Sequence, residues 1–366
     1  MRDGTTLGTE GASDASPDAS RRFDGTGAPV TGRGRRRARR GRTWGLSACG
    51  LVLAVPAALL LVRLTGRDTG TPLAVPMVLF PHSAVLALLV LGVAIAVRAL
   101  RSGVVAAVAL VLLLAQVWLV APRFVADAGS GDVPASAARL RVATLNTDEG
   151  AVDPRAVVEM VRADRIDVLA VEQTPARGLD ALDGAGLGDL LPYHALHPEY
   201  DSSIYSRFPL TAADTTDIDT VWPQTTARVA VGGRTVRLAA IHTYYPLGNV
   251  GRWTRDMASL AVLARDDGPD TVFLGDFNAT LDHAPMRSLL AAGLTDTHAE
   301  LGRGWAPTWP VGTGIMPPLV QLDHVLHGSG LAGVSVRERT LAGTDHRAVV
   351  AELAVLPEKA AVLLTG

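Results

Sequence analysis

Cysteine and lysine are almost missing from this chain. Cys49 is the only cysteine in 366 residues, which excludes an internal disulfide framework and any cysteine-rich zinc site. Lys359 is the only lysine, so arginine carries nearly all the positive charge. Aromatic residues make up 5% against 48% hydrophobic residues overall, and the apolar content therefore rests on aliphatic side chains and alanine. Such a composition excludes a wholly disordered or collagen-like chain. There is no His-Glu-x-x-His pair, no Gly-x-Ser-x-Gly elbow, no Gly-x-x-x-x-Gly-Lys phosphate loop and no internal repeat. The run Gly184-Ala-Gly-Leu-Gly188 has no strand before it and is expected to be a loop.

A mean hydropathy of +0.25 is high for a purely soluble protein. Residues 1–42 combine Gly, Ser, Asp and Thr with ten arginines against five acids. So little apolar surface cannot offset the entropy of ordering, and a disordered, basic, cytoplasmic tail is expected. Uncharged stretches follow at 43–62, 69–97 and 102–122. About 20 helical residues cross a ~30 Å hydrocarbon core, so residues 43–122 are expected to form a membrane region with three transmembrane helices, 43–62, 76–97 and 102–122. The arginine tail, Arg98 and Arg101 belong on the cytoplasmic side by the positive-inside rule, which leaves the chain after Pro122 outside the cell membrane. Arg63 and Arg67, in the first outer loop, run against that rule. A signal peptide cleaved near Ala54-Val-Pro-Ala57 is the competing reading, disfavoured by the two further apolar spans.

Residues 123–138 have a Gly/Ala/Ser/Asp linker composition, residues 139–357 read as a soluble domain, and 358–366 as a C-terminal tail. From residue 139 onward 19 basic residues face 28 acids. Strands are expected at 140–147, 167–174, 203–206, 226–231, 234–243, 271–277, 321–327 and 346–356, with a hairpin turn at Gly232-Gly233. Helices fit 153–164, where Asp153 can cap and Pro154 occupies the first turn, and 250–265. Strands interspersed with helices and a hairpin imply an α/β protein with mixed sheets.

Nearly every expected strand ends in a polar residue suited to chemistry. Asn146 closes the first, Glu172 the second and His242 the return strand of the hairpin. Asp276 and Asn278 end the next, Asp323 lies in Gln-Leu-Asp-His-Val-Leu, and Asp345 with His346 opens the last. One such residue alone is usually a turn or cap group. Together, on one sheet edge, they can line one cleft. Carboxylate and amide oxygens without thiolates favour Mg²⁺ or Mn²⁺, and a histidine held by a carboxylate can activate water at phosphorus.

The segments Leu140-Arg-Val-Ala-Thr-Leu-Asn-Thr147, Val168-Leu-Ala-Val-Glu-Gln173, Ser202-Ser-Ile-Tyr-Ser-Arg-Phe-Pro209, Ile241-His-Thr243, Gly275-Asp-Phe-Asn278, Leu322-Asp-His324 and Thr344-Asp-His-Arg347 occur in that order. Together they resemble the endonuclease/exonuclease/phosphatase superfamily, which includes DNase I, over about Leu140 to Leu356. Joined to membrane helices, the arrangement is similar to the VanJ-type proteins of actinobacterial glycopeptide resistance. The resemblance implies a DNase I-like four-layered α/β sandwich. By it Glu172 is the principal metal ligand, with Asn146 nearby on metal or phosphate and Asp345 beside the metal. It makes His346, paired with Asp323, the base or transition-state stabiliser and Asp276 the residue that orients water. Asn278 and His242 contact phosphate. Arg207, Tyr244 and Tyr245 are candidates for substrate contact without a clear family match.

The expected function is that of an anchored, extracytoplasmic phosphoesterase cleaving a phosphate ester or pyrophosphate, with a lipid-linked substrate favoured by helices that hold the cleft near the bilayer. An anchored nuclease is the alternative, disfavoured by the excess of acids in the domain. An inactive binding module is disfavoured by the intact polar set. No protein partner is indicated. His324, on the opposite face of its strand from Asp323, is expected to tolerate alanine far better than His346.

Overall fold

The computed structural model describes residues 32–97, 102–128, 133–312, 314 and 316–357. Four helices precede the first strand: α1 (Gly32–Thr65), α2 (Ala74–Met77), α3 (Phe80–Ala96) and α4 (Gly103–Val120). Then come β1 (Ala138–Asn146), α5 (Pro154–Asp164), β2 (Val168–Glu172), α6 (Ala176–Gly184), α7 (Leu187–Leu190), β3 (Tyr193–His197), β4 (Ser202–Ser206), β5 (Leu210–Thr215), β6 (Thr225–Val231) and β7 (Arg234–His242). They are followed by α8 (Pro246–Asp267), β8 (Thr271–Asp276), α9 (Ala284–Leu290), β9 (Leu294–Asp296), α10 (Thr297–Glu300), β10 (Asp323–Gly328), β11 (Leu331–Thr340) and β12 (Arg347–Val355). The chain divides into two units between Gly45 and Leu46, and all these strands belong to the second.

The strands form two sheets, ordered β11-β12-β1-β2-β4-β3 and β5-β6-β7-β8-β10-β9. Each contains one parallel pair, β1 with β2 and β7 with β8. Parallel neighbours need a crossover, which α5 and α8 supply. Asp153 caps α5 by accepting from the Arg155 amide, with Pro154 in the first turn as expected. The inner faces of the sheets mesh through residues such as Leu140, Val142, Leu238 and Leu274. On the outer face of the first sheet α5 and α6 pack Val157, Val161 and Leu179 against Leu145. On the second, α8 and α9 pack Trp253, Met257 and Leu289 against Phe273. Helix, sheet, sheet, helix is the expected four-layered α/β sandwich. The Gly184–Gly188 run, expected as a loop, ends α6 and begins α7, with Gly186 left-handed at φ 98° between them.

Helix α1 begins at Gly32, so the arginine run assigned to a disordered tail is helical. Arginine is a good helix former, and elongation from the apolar segment after Thr43 is easier than fresh nucleation. Residues 1–31, and Arg98 and Arg101 on which the orientation rests, lie outside the described residues. Among the described residues two helices are long and apolar enough to cross a bilayer, Arg39–Thr65 and Gly103–Phe124. The expected span 76–97 instead breaks after Met77 and resumes as α3, 17 residues with Pro81 in its first turn. Small residues at the helix contacts, Cys49, Ala87 and Ala109, allow close packing, and Gln116 donates to Ser83 inside it. The outward faces carry Leu51, Val104 and Trp118, each more than 70% exposed.

The connector between α1 and α3 is built into the domain rather than strung from it. Asp282, with no exposed surface, accepts from both terminal nitrogens of Arg123 (2.9 and 2.5 Å) and from Arg63 Nε (3.2 Å). Asp68 accepts from the Ala284 amide at 2.7 Å, and His283 Nε2 lies 3.0 Å from the Ala74 carbonyl. The first residues of the expected linker are tied down as well, since the Asp127 amide donates to the Glu300 carbonyl.

Burial alone would raise the Asp282 pKa, but the Arg123 and Arg63 guanidiniums outweigh it and hold the carboxyl below its usual range. A depressed folded pKa stabilises the fold above the unfolded value near ~3.9 and is lost as pH falls through the folded pKa. Asp282→Asn removes the counter-charge of two guanidiniums and is expected to cost ~3–5 kcal/mol. Thermal unfolding in detergent at pH 7 should show a clear drop in Tm that shrinks below about pH 4. An equal gap at both pH values would mean that the charge of Asp282 is not what stabilises the junction.

Candidate active site

Chain direction brings the polar strand ends to one edge. Asn146 pairs with Glu172 at the ends of parallel β1 and β2, and His242 with Asp276 at the ends of parallel β7 and β8. Asp323 begins antiparallel β10 opposite Asp276. Asp345 and His346 directly precede β12, whose start meets the end of β1. Gly275 is required beside Asp276 because a Cβ there would lie 1.9 Å from the Ile241 carbonyl oxygen. Asn278 follows in a left-handed conformation, φ 48°.

Asp276 is the hub. Its Oδ2 accepts from Asn146 Nδ2 at 3.1 Å and stands 3.8 Å from His346 Nε2 and 4.0 Å from His242 Nε2. Its Oδ1 accepts from the Asn278 amide at 2.8 Å. His346 Nδ1 lies 2.8 Å from Asp323 Oδ2, the pair expected from the motifs. Asp345 Oδ1 is 3.8 Å from His346 Nε2, while Asp345 Oδ2 accepts from the Trp309 indole. Glu172 is fully buried, with Oε1 accepting from Thr144 at 2.8 Å. Its Oε2 and Asp323 Oδ1 are buried without a hydrogen-bond partner.

Three buried carboxylates in one place repel each other. Burial pushes the Glu172 pKa well up, and Asp323 and Asp276 push it further. Burial and Asp323 likewise raise Asp276. For His346 burial works toward a lower pKa, but Asp323 and Asp276 overcome it and push the imidazole up to about 10. Asp276, Asp323 and His346 can bring ligand atoms within 4.8 Å of one another. Glu172, the expected main ligand, stands outside that trio but next to it through its charge.

All eight expected site residues thus gather at one edge; six line the same cleft of about 450 Å³, while Glu172 and Asp323 are fully buried beside them. Twelve of the twenty lining residues are apolar. Of the three substrate-contact candidates, Tyr245 lines the cleft and Tyr244 stacks against it, with ring centroids 4.8 Å apart. Arg207 does not belong: it follows β4 at the far end from Ser202, which pairs with Glu172, and binds Asp167. His324 does point away from Asp323, but its ring is fully buried between Asp296 Oδ2 (2.8 Å) and the Ala279 carbonyl (2.9 Å). Alanine there leaves a buried carboxylate unpaired, so the expected tolerance is corrected to a structural requirement.

The motifs gave no sign of Asp201, whose Oδ2 lies 2.7 Å from His242 Nδ1. Burial works to lower the His242 pKa, but Asp201 and Asp276 together outweigh it and leave it raised. Trp222 stacks on the His242 ring, 5.0 Å between centroids and 3° from parallel. Asp201 was findable from topology: it precedes a strand antiparallel to β2, so it shares the edge where Glu172 ends.

A model of the Endonuclease/Exonuclease/phosphatase family matches residues 143–346, more than half of the chain. Among solved structures, humanized TDP2 of D. rerio is 16% identical, covering 59% of this chain and 98% of that one at a TM-score of 0.49. A family protein from Bacteroides thetaiotaomicron is 14% identical over 60% and 99%, TM-score 0.48. Another, from Beutenbergia cavernae, is 18% identical over 60% and 72%, TM-score 0.44. No curated protein matches. With its two mixed sheets and its gathered carboxylates and histidines, the chain belongs to the endonuclease/exonuclease/phosphatase family, DNase I-like enzymes that hydrolyse phosphoester bonds with a divalent metal.

Proposed function

We propose that this protein is a membrane-anchored, extracytoplasmic phosphoesterase that hydrolyses a lipid-linked phosphate ester or pyrophosphate. The observation that carries this reading is the cleft itself, polar at the strand ends and apolar along most of its lining. The exposed apolar faces of the helices favour an anchor, and the arginine run in the first turns of α1 favours a cytoplasmic N-terminus.

The donor set suits Mg²⁺ or Mn²⁺, since Glu172 and Asp323 each keep a buried oxygen without a partner and the acids carry more negative charge than one imidazole balances. Glu172 would hold the ion, with Asn146 and Asp345. When bound, the ion neutralises charge on the phosphate and its leaving oxygen. The remaining groups divide the work. His346, whose imidazole Asp323 and Asp276 push up to about 10, is suited to stabilise negative charge on the phosphate through Nε2, while Asp323 fixes its ring. Asp276 orients the attacking water and takes its proton as the water oxygen bonds phosphorus and the ester oxygen leaves. Asn278 and His242, the latter held by Asp201, contact the phosphate.

A second reading, an anchored nuclease, draws on one observation: Trp222, His242, Tyr244 and Tyr245 form a stacked series beside the cleft, a surface on which bases can stack. The acidic balance of the domain weighs against it.

Full-length protein assayed with Mg²⁺ against alkyl phosphates and pyrophosphates, phospholipids and plasmid DNA in parallel separates the readings; DNA as the best substrate would reject the first. Glu172→Gln should keep the fold, lose most activity and weaken the metal dependence. Unchanged turnover at limiting and saturating metal would remove Glu172 from the site.

His346→Ala should slow the chemical step by ~10²–10⁴-fold or more, and Asp323→Asn by a similar or smaller factor. Because the two act as one unit, the double mutant should fall far short of the product of the single losses. Clean multiplication of the losses would dissolve the proposed pair. Alkaline phosphatase fused after Leu356 should be active in cells; a silent fusion with a bright cytoplasmic reporter at the same place would reverse the orientation.

A further inference from the structure

The connector that follows α1 does more than join helices. Val75, Val78 and Leu79 line the same cleft as Asn146, Asp276 and His346. A tether would need no fixed shape, yet this one is held on every side. Ala74 and Met77 are fully buried, the Ala74 carbonyl lies 3.0 Å from His283 Nε2, and the Gly70 amide donates to Thr254 Oγ at 3.0 Å. On either side of it Arg63, at the end of α1, and Arg123, after α4, converge on Asp282. The wall is preformed, which is how a binding surface avoids an ordering cost when its ligand arrives.

Resting on the phosphoesterase reading above, we infer that residues 75–79 form the specificity-determining seat for the hydrocarbon chain of a lipid phosphate. Three features of the wall choose that occupant. Its side chains offer no donor or acceptor, so they cannot read a sugar or a base edge. The same cleft is lined by Asn146, Asp276, Asp345 and His346, so a ligand lying along the wall can present its phosphate to that cluster. And the wall follows, after a short turn segment, a helix long and apolar enough to cross a bilayer, which favours a place near lipid chains. Leu319 and Val320 from the loop before β10 and Leu247 from α8 add to the apolar lining of the same cleft. Leu79 and Leu247 are 46% and 77% exposed at the mouth, apolar surface that a chain entering from the bilayer would cover.

The inference separates two jobs within one cleft: the strand ends do the chemistry, and the connector measures the leaving group. It follows that a fragment starting at residue 139 would lack one wall of its own active site along with the anchor.

The test uses full-length protein in detergent and the variants Val75→Asn and Leu79→Asn, both at positions that keep some exposure and so should fold. Dodecyl phosphate and ethyl phosphate serve as paired substrates, and a fluorescent dodecyl phosphate as a binding probe. The ratio of kcat/KM for the dodecyl over the ethyl ester should fall on the order of tenfold or more in each variant, through KM, and Leu79→Met should restore it. Probe affinity should fall in parallel. If wild-type protein turns over both esters with no preference for the longer, or if the ratio and probe affinity survive both asparagine substitutions, the seat is wrong while the hydrolase stands. If no ester is turned over but the probe binds wild type and not the variants, the seat stands and the hydrolase reading falls. Turnover of a single-stranded oligonucleotide whose KM moves with the same substitutions would make the wall a nucleic-acid contact and overturn the inference.

Discussion

The hydrogen bond from Asn146 Nδ2 to Asp276 Oδ2 joins the last residue of β1 in one sheet to the last residue of β8 in the other. The rest of the site depends on that closure. Two sheets held together only by aliphatic side chains would be free to slide by a fraction of a residue, since hydrophobic contact has no direction. A buried carboxylate that must find an amide from the opposite sheet, and keep two imidazoles at 3.8 and 4.0 Å, gives their contact a direction, as do the bonds between Ser202 of β4 and Thr225 of β6. Around it each further group is held by a neighbour: Asp323 fixes His346, Asp201 fixes His242, and Thr344 binds the Asn146 carbonyl. Preorganisation of this kind suits phosphoryl transfer, where most of the catalytic work is positioning and charge stabilisation.

How much of this could be read from sequence follows from burial. Strands β1, β2, β7, β8 and β12 are buried over most of their length between the inner core and the outer helices, so each carries an aliphatic run, and all are expected within two residues of their ends. Strands β3 and β5 lie at sheet edges with partly exposed residues, β9 has three residues, and β11 carries Arg337, Glu338 and Arg339 with a register shift at Gly333/Ser335. None of these has a hydrophobic period to detect. The site was legible for the same reason: a polar residue terminating an aliphatic run stands out. Asp201 ends no such run, and its role comes only from the strand order. The connector wall was hidden differently, because Val75, Val78 and Leu79 are indistinguishable by composition from the membrane helices on either side.

Asp276 and Asp282 are six residues apart, both buried, both hydrogen-bonded, and the same residue type, yet their electrostatics run in opposite directions. Asp282 faces two guanidiniums and titrates below the usual carboxylate range. Asp276 faces two more acids and has no arginine against it, and titrates above that range. A purely structural cluster of carboxylates would be expected to resolve like Asp282, by recruiting permanent cations, because an uncompensated buried charge is among the most destabilising features a fold can carry. With 33 arginines in the chain, cations were available. Their absence at the strand ends leaves His346 as the principal positive group among Glu172, Asp276 and Asp323, a deficit that a divalent ion and the chemistry of a phosphate would both use. That contrast between two neighbouring aspartates, rather than the presence of acids as such, is what distinguishes the working end of this domain from the joint that holds it to its helices.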